Sequence, residues 1–218
     1  MNHVVDMRYC PEDDGMLRSY TGPVDDNGLP HGDGTRTRLT GEGKGGVFRG
    51  HFVHGNITGY GEYTGKNNSF KGYYVNNKAH GRGSQTFPDG STYEGEYEID
   101  LFHGHGVRMW TDRRRYEGQW AHHKQHGRGR SVHSDQSVYE GDFVQGKRHG
   151  QGKILWPDGE CYDGAFADGF YLGFGSYRSP TGETRRVRLR HSVTHFTDGA
   201  SYQYLVARMR AKESRHSR

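Results

Sequence analysis

Aromatic residues return in this chain at an almost constant interval, and that recurrence limits its fold more than any other feature. Phe48, Phe70, Tyr93, Tyr116, Tyr139 and Tyr162 are separated by 22, 23, 23, 23 and 23 residues. Four residues after each comes a second aromatic: Phe52, Tyr74, Tyr97, Trp120, Phe143 and Phe166. Glycine keeps the same beat, with Gly50, Gly72, Gly95, Gly118, Gly141 and Gly164 between the two rings. Two further columns run Gly59, Gly81, Gly104, Gly127, Gly150, Gly173 and Gly61, Gly83, Gly106, Gly129, Gly152, Gly175. Fixed periods of roughly 20 to 50 residues mark architectures in which one supersecondary unit is stacked repeatedly.

The columns specify what that unit is. In an extended strand, alternate residues share a face, so each repeat presents ring, glycine, ring on one side. The glycine removes the Cβ that would hold the rings off the backbone, and a ring can then lie across it. Loops such as "VQGKRHG" and "AHHKQHG" follow, and then a second strand such as "GKILW", "GVRMW" or "GSQTF". "PDGS" and "PDGE" close the unit, with Pro presetting the first turn dihedral and Asp-Gly suiting a tight reversal. A helical reading fails, because residues 48 to 177 sustain no period of about 3.6 and glycine recurs too often.

One hairpin cannot bury its own aromatic face, so neighbouring hairpins must stack. The prediction is an all-β chain: an elongated, twisted, single-layer antiparallel sheet of hairpins, with a short helical C-terminal segment from about Ser201. In that segment Tyr204, Leu205 and Met209 point inward and Arg208, Lys212 and Arg215 outward. The organisation reads as an N-terminal extension over 1–19, an irregular capping unit with a Gly-rich insertion over 20–47, six repeats over 48–184 and a basic cap or tail over 185–218. The capping unit keeps Tyr20, Gly22, His31, Gly32 and Gly34, with Val24 in place of the second ring.

Composition agrees once the rings are counted. Only 30% of the chain is hydrophobic and 35 residues are glycine, which alone would suggest disorder. Regularly placed aromatics, 13% of the chain, carry a large burial payload each and reverse that reading. No apolar run of about 18 residues and no signal-peptide pattern occur, so the expectation is a soluble, intracellular protein of cytoplasm or nucleus, with no transmembrane segment. Cys10 and Cys161 sit in unlike contexts and read as reduced thiols.

"YEGEY", "YEGQW" and "YEGDF", followed by "HGHG", "HGRG" and "HGQG" and then "FPDGS" or "WPDGE", resemble MORN repeats over residues 20 to about 184. That resemblance implies arrays of β-hairpins and a binding or scaffolding role, with membranes or phosphoinositides, cytoskeletal partners or self-association as targets. "DDNGLPHGDGT", "FRGHFVHG" and "HSVTHFTDGASY" further resemble the MORN array that precedes the catalytic domain of a SET-domain lysine methyltransferase. The Asn-His-Ser segment and cofactor motifs of a SET domain are not found, so the resemblance implies an accessory, substrate-contacting region without methyltransferase activity.

Residues that invite a catalytic or metal reading fall into the repeat. His31, His80, His103, His126 and His149 form one column, placed where the loop turns into the second strand. Their spacing separates them along an edge rather than gathering them round a tetrahedral centre, so no metal is expected. "GEGKGG" at 41–46 satisfies G-x-G-x-x-G but lacks the strand-to-helix context of a dinucleotide site. Glu94, Glu117, Glu140 and Asp163 recur as a solvated row opposite the rings rather than as an acid/base pair. No catalytic group and no cofactor are expected.

Two candidate surfaces follow. Phe87, Trp110 and Trp156 at strand ends, together with Trp120, are candidate anchors for a protein partner or a second copy of the chain. Residues 178–218 carry ten Lys/Arg against Glu183, Asp198 and Glu213, while the rest of the chain sums to −3. Within that tail "RRVRLRH" reads as an edge strand, with Arg186, Arg188 and Arg190 on one face and Arg185 beside Val187 and Leu189 on the other. Arg185, Arg186, Arg188 and Arg190 are therefore candidate contacts for an anionic lipid surface. Sequence-specific nucleic-acid readout is not expected, because no aromatics interleave with this patch.

Overall fold

Pairs of strands joined by very short turns repeat along the chain, as the ring and glycine columns require. The computed structural model describes residues 4–5, 17–190 and 193–195, and among them every strand ladder is antiparallel and no helix occurs. The chain divides into two compact units, Met1–Arg108 and Met109–Arg218. The C-terminal helix expected from Ser201 and the thiol of Cys10 lie outside the described residues.

In the first unit the strands are β1 (Val4–Val5), β2 (Arg18–Thr21), β3 (Gly32–Arg38), β4 (Val47–Val53), β5 (Asn56–Thr64), β6 (Ser69–Val75), β7 (Lys78–Thr86), β8 (Thr92–Glu98) and, but for its last residue, β9 (Leu101–Met109). Each pairs with its sequence neighbour. The second unit runs β10 (Arg115–Ala121), β11 (Lys124–Val132), β12 (Val138–Val144), β13 (Lys147–Leu155), β14 (Cys161–Ala167), β15 (Phe170–Arg178), β16 (Thr184–Arg190) and β17 (Val193–His195), again paired in order. β16 is hydrogen-bonded on both sides, to β15 and β17, which corrects its reading as an edge strand.

The rings do what the spacing predicts. Tyr93, Tyr116, Tyr139 and Tyr162 are completely buried. Phe48, Phe70, Tyr116 and Tyr139 each pack edge-on against the second-column rings of their own repeat and of the next. Tyr116 meets Trp120 at 4.9 Å and Phe143 at 5.1 Å, and Tyr139 meets Phe143 at 5.1 Å and Phe166 at 5.0 Å. The first unit repeats the pattern, with Phe48 against Phe52 and Tyr74, and Phe70 against Tyr74 and Tyr97. Such near-perpendicular contacts suit the ring quadrupoles and add about 0.5–1.5 kcal/mol each beyond area burial.

Glycine columns make this packing possible. Gly141 and Gly152 oppose each other in the β12–β13 ladder beneath the ring of Tyr139; a Cβ on Gly152 would lie 2.6 Å from Tyr139 Cζ. Tyrosine rather than phenylalanine is then useful, because the buried hydroxyl reaches a backbone acceptor. Tyr116, Tyr139 and Tyr93 donate to the carbonyls of Gln119, Asp142 and Glu96 at 2.9–3.0 Å. Tyr20 donates in the same way to Pro23, so the irregular capping unit uses the same device. Val24, at the position of the missing second ring, packs against the cluster of Tyr20, Phe48, Phe52 and Ile57.

The hairpin loops are shorter than the sequence reading placed them. Val144 pairs with Lys147 across two residues, Gln145 and Gly146, with φ of +53° and +83°. Two successive positive φ values define the type I′ turn, whose twist matches the strands it joins. His149 and Gly150 therefore lie inside β13, not in a loop, and Gly150, at φ +58°, sits in a bulge that shifts the register between Gly141 and Asp142. The longer turns behave as expected: Trp156 N–H donates to the Glu160 carbonyl at 2.9 Å around Pro157, Asp158 and Gly159.

Candidate functional site

Because side chains alternate across a strand, the residue between the two glycines of G-x-G must leave the face occupied by the rings. Gly61, Gly129, Gly152 and Gly175 lie beneath Phe48, Tyr116, Tyr139 and Tyr162 respectively. The preceding residues are Tyr60, Arg128, Gln151 and Phe174, and with Arg82 and His105 they make a column in which every member is exposed. The framework glycines do not change from repeat to repeat, whereas this position does.

Each unit presents this column differently. In the first, Tyr60 opposes Tyr73 across β5 and β6, and both remain about half exposed, at 52% and 54%. Their rings meet edge-on at 5.7 Å. Arg82 opposes Glu96 in the next ladder. In the second unit Arg128 opposes Asp142, with Nε and Oδ1 3.5 Å apart, and Gln151 opposes Ala165. Phe174 is the most exposed large apolar residue among the described ones, at 70%, and the Arg188 guanidinium lies 5.0 Å from its ring centre.

The aromatic anchors expected from sequence are placed differently. Trp156 is buried rather than exposed, at 3%, and Trp120 is buried at 5% as part of the ring zipper, against Tyr116. Phe87 and Trp110 are half-buried, covered by the guanidiniums of Arg108 at 4.5 Å and Arg114 at 5.2 Å. Strand-end aromatics are thus largely consumed by packing and cation–π contacts. The signal for Tyr60 and Phe174 was present in the sequence, a variable residue flanked by unchanging glycines; Tyr73 lies between Gly72 and the ring Tyr74 and shows only in its pairing with Tyr60.

In β16, Val187 and Leu189 are buried and Arg186 and Arg188 exposed, the alternation that the sequence suggested. Arg185 is held by Glu183, Nη2 to Oε1 at 2.8 Å, and Arg188 lies over Phe174. The side chain of Arg190 lies outside the described residues. Burial pushes the Cys161 thiol up, which disfavours the reactive thiolate.

A protein-family model described as MORN repeat matches residues 48–70, 70–92, 93–113, 116–138, 139–161 and 162–184. This chain belongs to the MORN repeat family. No curated protein sequence matches it significantly. Among solved structures it is similar to the SAS-4 (dCPAP) TCP domain of Drosophila melanogaster, solved in complex with a proline-rich motif of Ana2 (dSTIL). That similarity has 8% identity and a TM-score of 0.43, over 71% of this chain and 83% of that one. It is also similar to a mutant of the TCP10 domain of Danio rerio CPAP, with 13% identity and a TM-score of 0.31, over 87% of this chain and 99% of that one. The family match covers neither the "DDNGLPHGDGT" nor the "HSVTHFTDGASY" segment behind the SET-domain resemblance. No helix among the described residues is long and apolar enough to cross a membrane.

Proposed function

We propose that this chain is a non-catalytic protein-interaction module that docks a partner segment on the face opposite its ring columns. On the first unit Tyr60 and Tyr73 are the anchors, and on the second Phe174 is the anchor of that unit's own face. The supporting observation is the division of labour between faces. One face packs an aromatic at the same two positions of every repeat, and the other exposes a position filled in turn by Tyr60, Arg82, His105, Arg128, Gln151 and Phe174. Exposed aromatics are favoured interface anchors because they bury much area for little side-chain entropy. In the second unit the Arg128–Asp142 pair, Nε to Oδ1 at 3.5 Å, adds a polar contact on that face.

An anionic-surface role for Arg185, Arg186, Arg188 and Arg190 has less support, since Glu183 and Phe174 already engage two of these side chains. The test is affinity capture with the intact chain, a Tyr60→Ser/Tyr73→Ser/Phe174→Ser variant and an Arg185→Ser/Arg186→Ser/Arg188→Ser/Arg190→Ser variant. Partners recovered by the parent and the arginine variant, and lost by the aromatic one, are expected. Equal recovery by the aromatic variant overturns the proposal; loss with the arginine variant alone transfers the function to the basic strand.

A further inference from the structure

Where the capping unit meets the first repeat, Asp25 and His31 of the cap and His54 of the β4–β5 turn come together as three potential ligands. Asp25 opens the turn Asp25–Gly28, and its Oδ1 accepts the backbone N–H groups of Asn27 at 3.0 Å and Leu29 at 2.9 Å. This fixes the carboxylate and leaves Oδ2 to face His54, whose Nδ1 lies 2.6 Å away. His54 stands in the two-residue turn between β4 and β5 at φ +46°. That turn is tied to the capping unit by the Gly55 N–H bond to the Pro30 carbonyl at 2.8 Å. His31, next to Pro30, is held by its own N–H bond to Pro23, and its ring centre is 5.2 Å from that of His54.

Two independent observations point to an ion. One ligand atom from each of Asp25, His31 and His54 lies within 4.8 Å of the other two. Separately, Nδ1 of His31 is buried with no hydrogen-bond partner, an uncommon and costly state for an imidazole nitrogen. Metal–ligand distances of about 2.0–2.2 Å in a tetrahedral site put ligand atoms roughly 3.4 Å apart. The 2.6 Å between Asp25 and His54 and the 4.8 Å limit on the other separations lie on either side of that spacing.

We propose that Asp25, His31 and His54 form a transition-metal site of the Zn²⁺ class, tying the capping turn to the first repeat hairpin. Two imidazoles and one carboxylate match Zn²⁺ or Co²⁺ and not the all-oxygen preference of Ca²⁺ or Mg²⁺. The side chain of Asp25 is only 10% exposed, whereas that of His54 is 64% exposed, so the fourth coordination position opens to water on the His54 side.

The test uses the full chain, freed of metal with a chelator, and titrates it with ZnCl₂ by calorimetry and with CoCl₂ by visible absorption. Asp25→Asn keeps the turn acceptor but removes the charge, and His54→Asn tolerates the positive φ, so both variants retain the fold. A metal-free unfolding transition equal to the parent's verifies this for each. One equivalent of Zn²⁺ and tetrahedral Co²⁺ bands are expected for the parent, with affinity at least tenfold weaker in both variants. His122→Asn, at the same turn position of a later repeat, keeps the parent's affinity. Absence of the one-equivalent site in the parent, or undiminished affinity in Asp25→Asn and His54→Asn, overturns the proposal.

Discussion

The ring of Tyr139 rests directly on the backbone at Gly152, where a Cβ would stand 2.6 Å from Tyr139 Cζ. Gly152 is not in the left-handed region, so its conservation across repeats is a matter of space rather than of dihedral angle. Gly152→Ala should therefore destabilise the chain by about 1–3 kcal/mol through overpacking. Tyr139→Ala should cost about 3–5 kcal/mol by itself. With the ring gone the added methyl has room, so the double variant should be less destabilised than the two losses added together. Denaturant unfolding of all four proteins measures this coupling, and strict additivity would refute the ring-on-backbone contact.

Ile99 occupies a type I′ turn at φ +52° and is 62% exposed, so it bears the left-handed penalty of a β-branched residue with little burial in return. Ile99→Asn should raise stability by about 1 kcal/mol, seen as a higher denaturant midpoint at unchanged slope.

The neighbouring turn residue ties one hairpin to the preceding one. Asp100 Oδ1 accepts the Ala79 N–H at 2.7 Å, and Asp100 N–H donates to the Ala79 carbonyl at 2.9 Å. Asn77 plays the same part towards Ile57, at 2.8 Å. Asp100→Ala should cost about 1–3 kcal/mol, because it orphans a buried donor and puts alanine at φ +66°. Asp100→Asn should recover most of that loss by thermal unfolding.

Burial pushes the phenols of Tyr139 and Tyr162 from 10.0 up to about 12. A folded-state pKa above the unfolded one gives stability that is complete below pH 10 and lost as pH rises through about 12. Phenolate absorbance should thus show Tyr139 and Tyr162 ionising only near pH 12, together with the loss of the β-sheet circular dichroism signal. Ionisation of every tyrosine near pH 10 with the sheet intact would contradict their burial.

The ring and glycine columns were legible in sequence because they repeat: Tyr139, Gly141 and Phe143 differ little from Tyr162, Gly164 and Phe166 in type and spacing. Less legible was what happens inside a column. The step from Gly150 to Gly152 reads as a loop ending, yet a positive φ at Gly150 makes it a bulge within β13. Trp156 reads as an exposed strand end, and only its packing shows that it is buried. Asp25 and His54 lie 29 residues apart, in a turn outside the six repeats and a turn within the first, so no period links them. Repetition reveals the scaffold; the positions that break it are where function is proposed.

The proposed docking face is tested most directly by photo-crosslinking from single positions. A photoreactive residue at 60, 73 or 174 should become covalently attached to the captured partner, while one at the exposed turn residue Gln136 should not. Crosslinking from position 136 with none from 60, 73 or 174 would contradict an interface on the face opposite the rings.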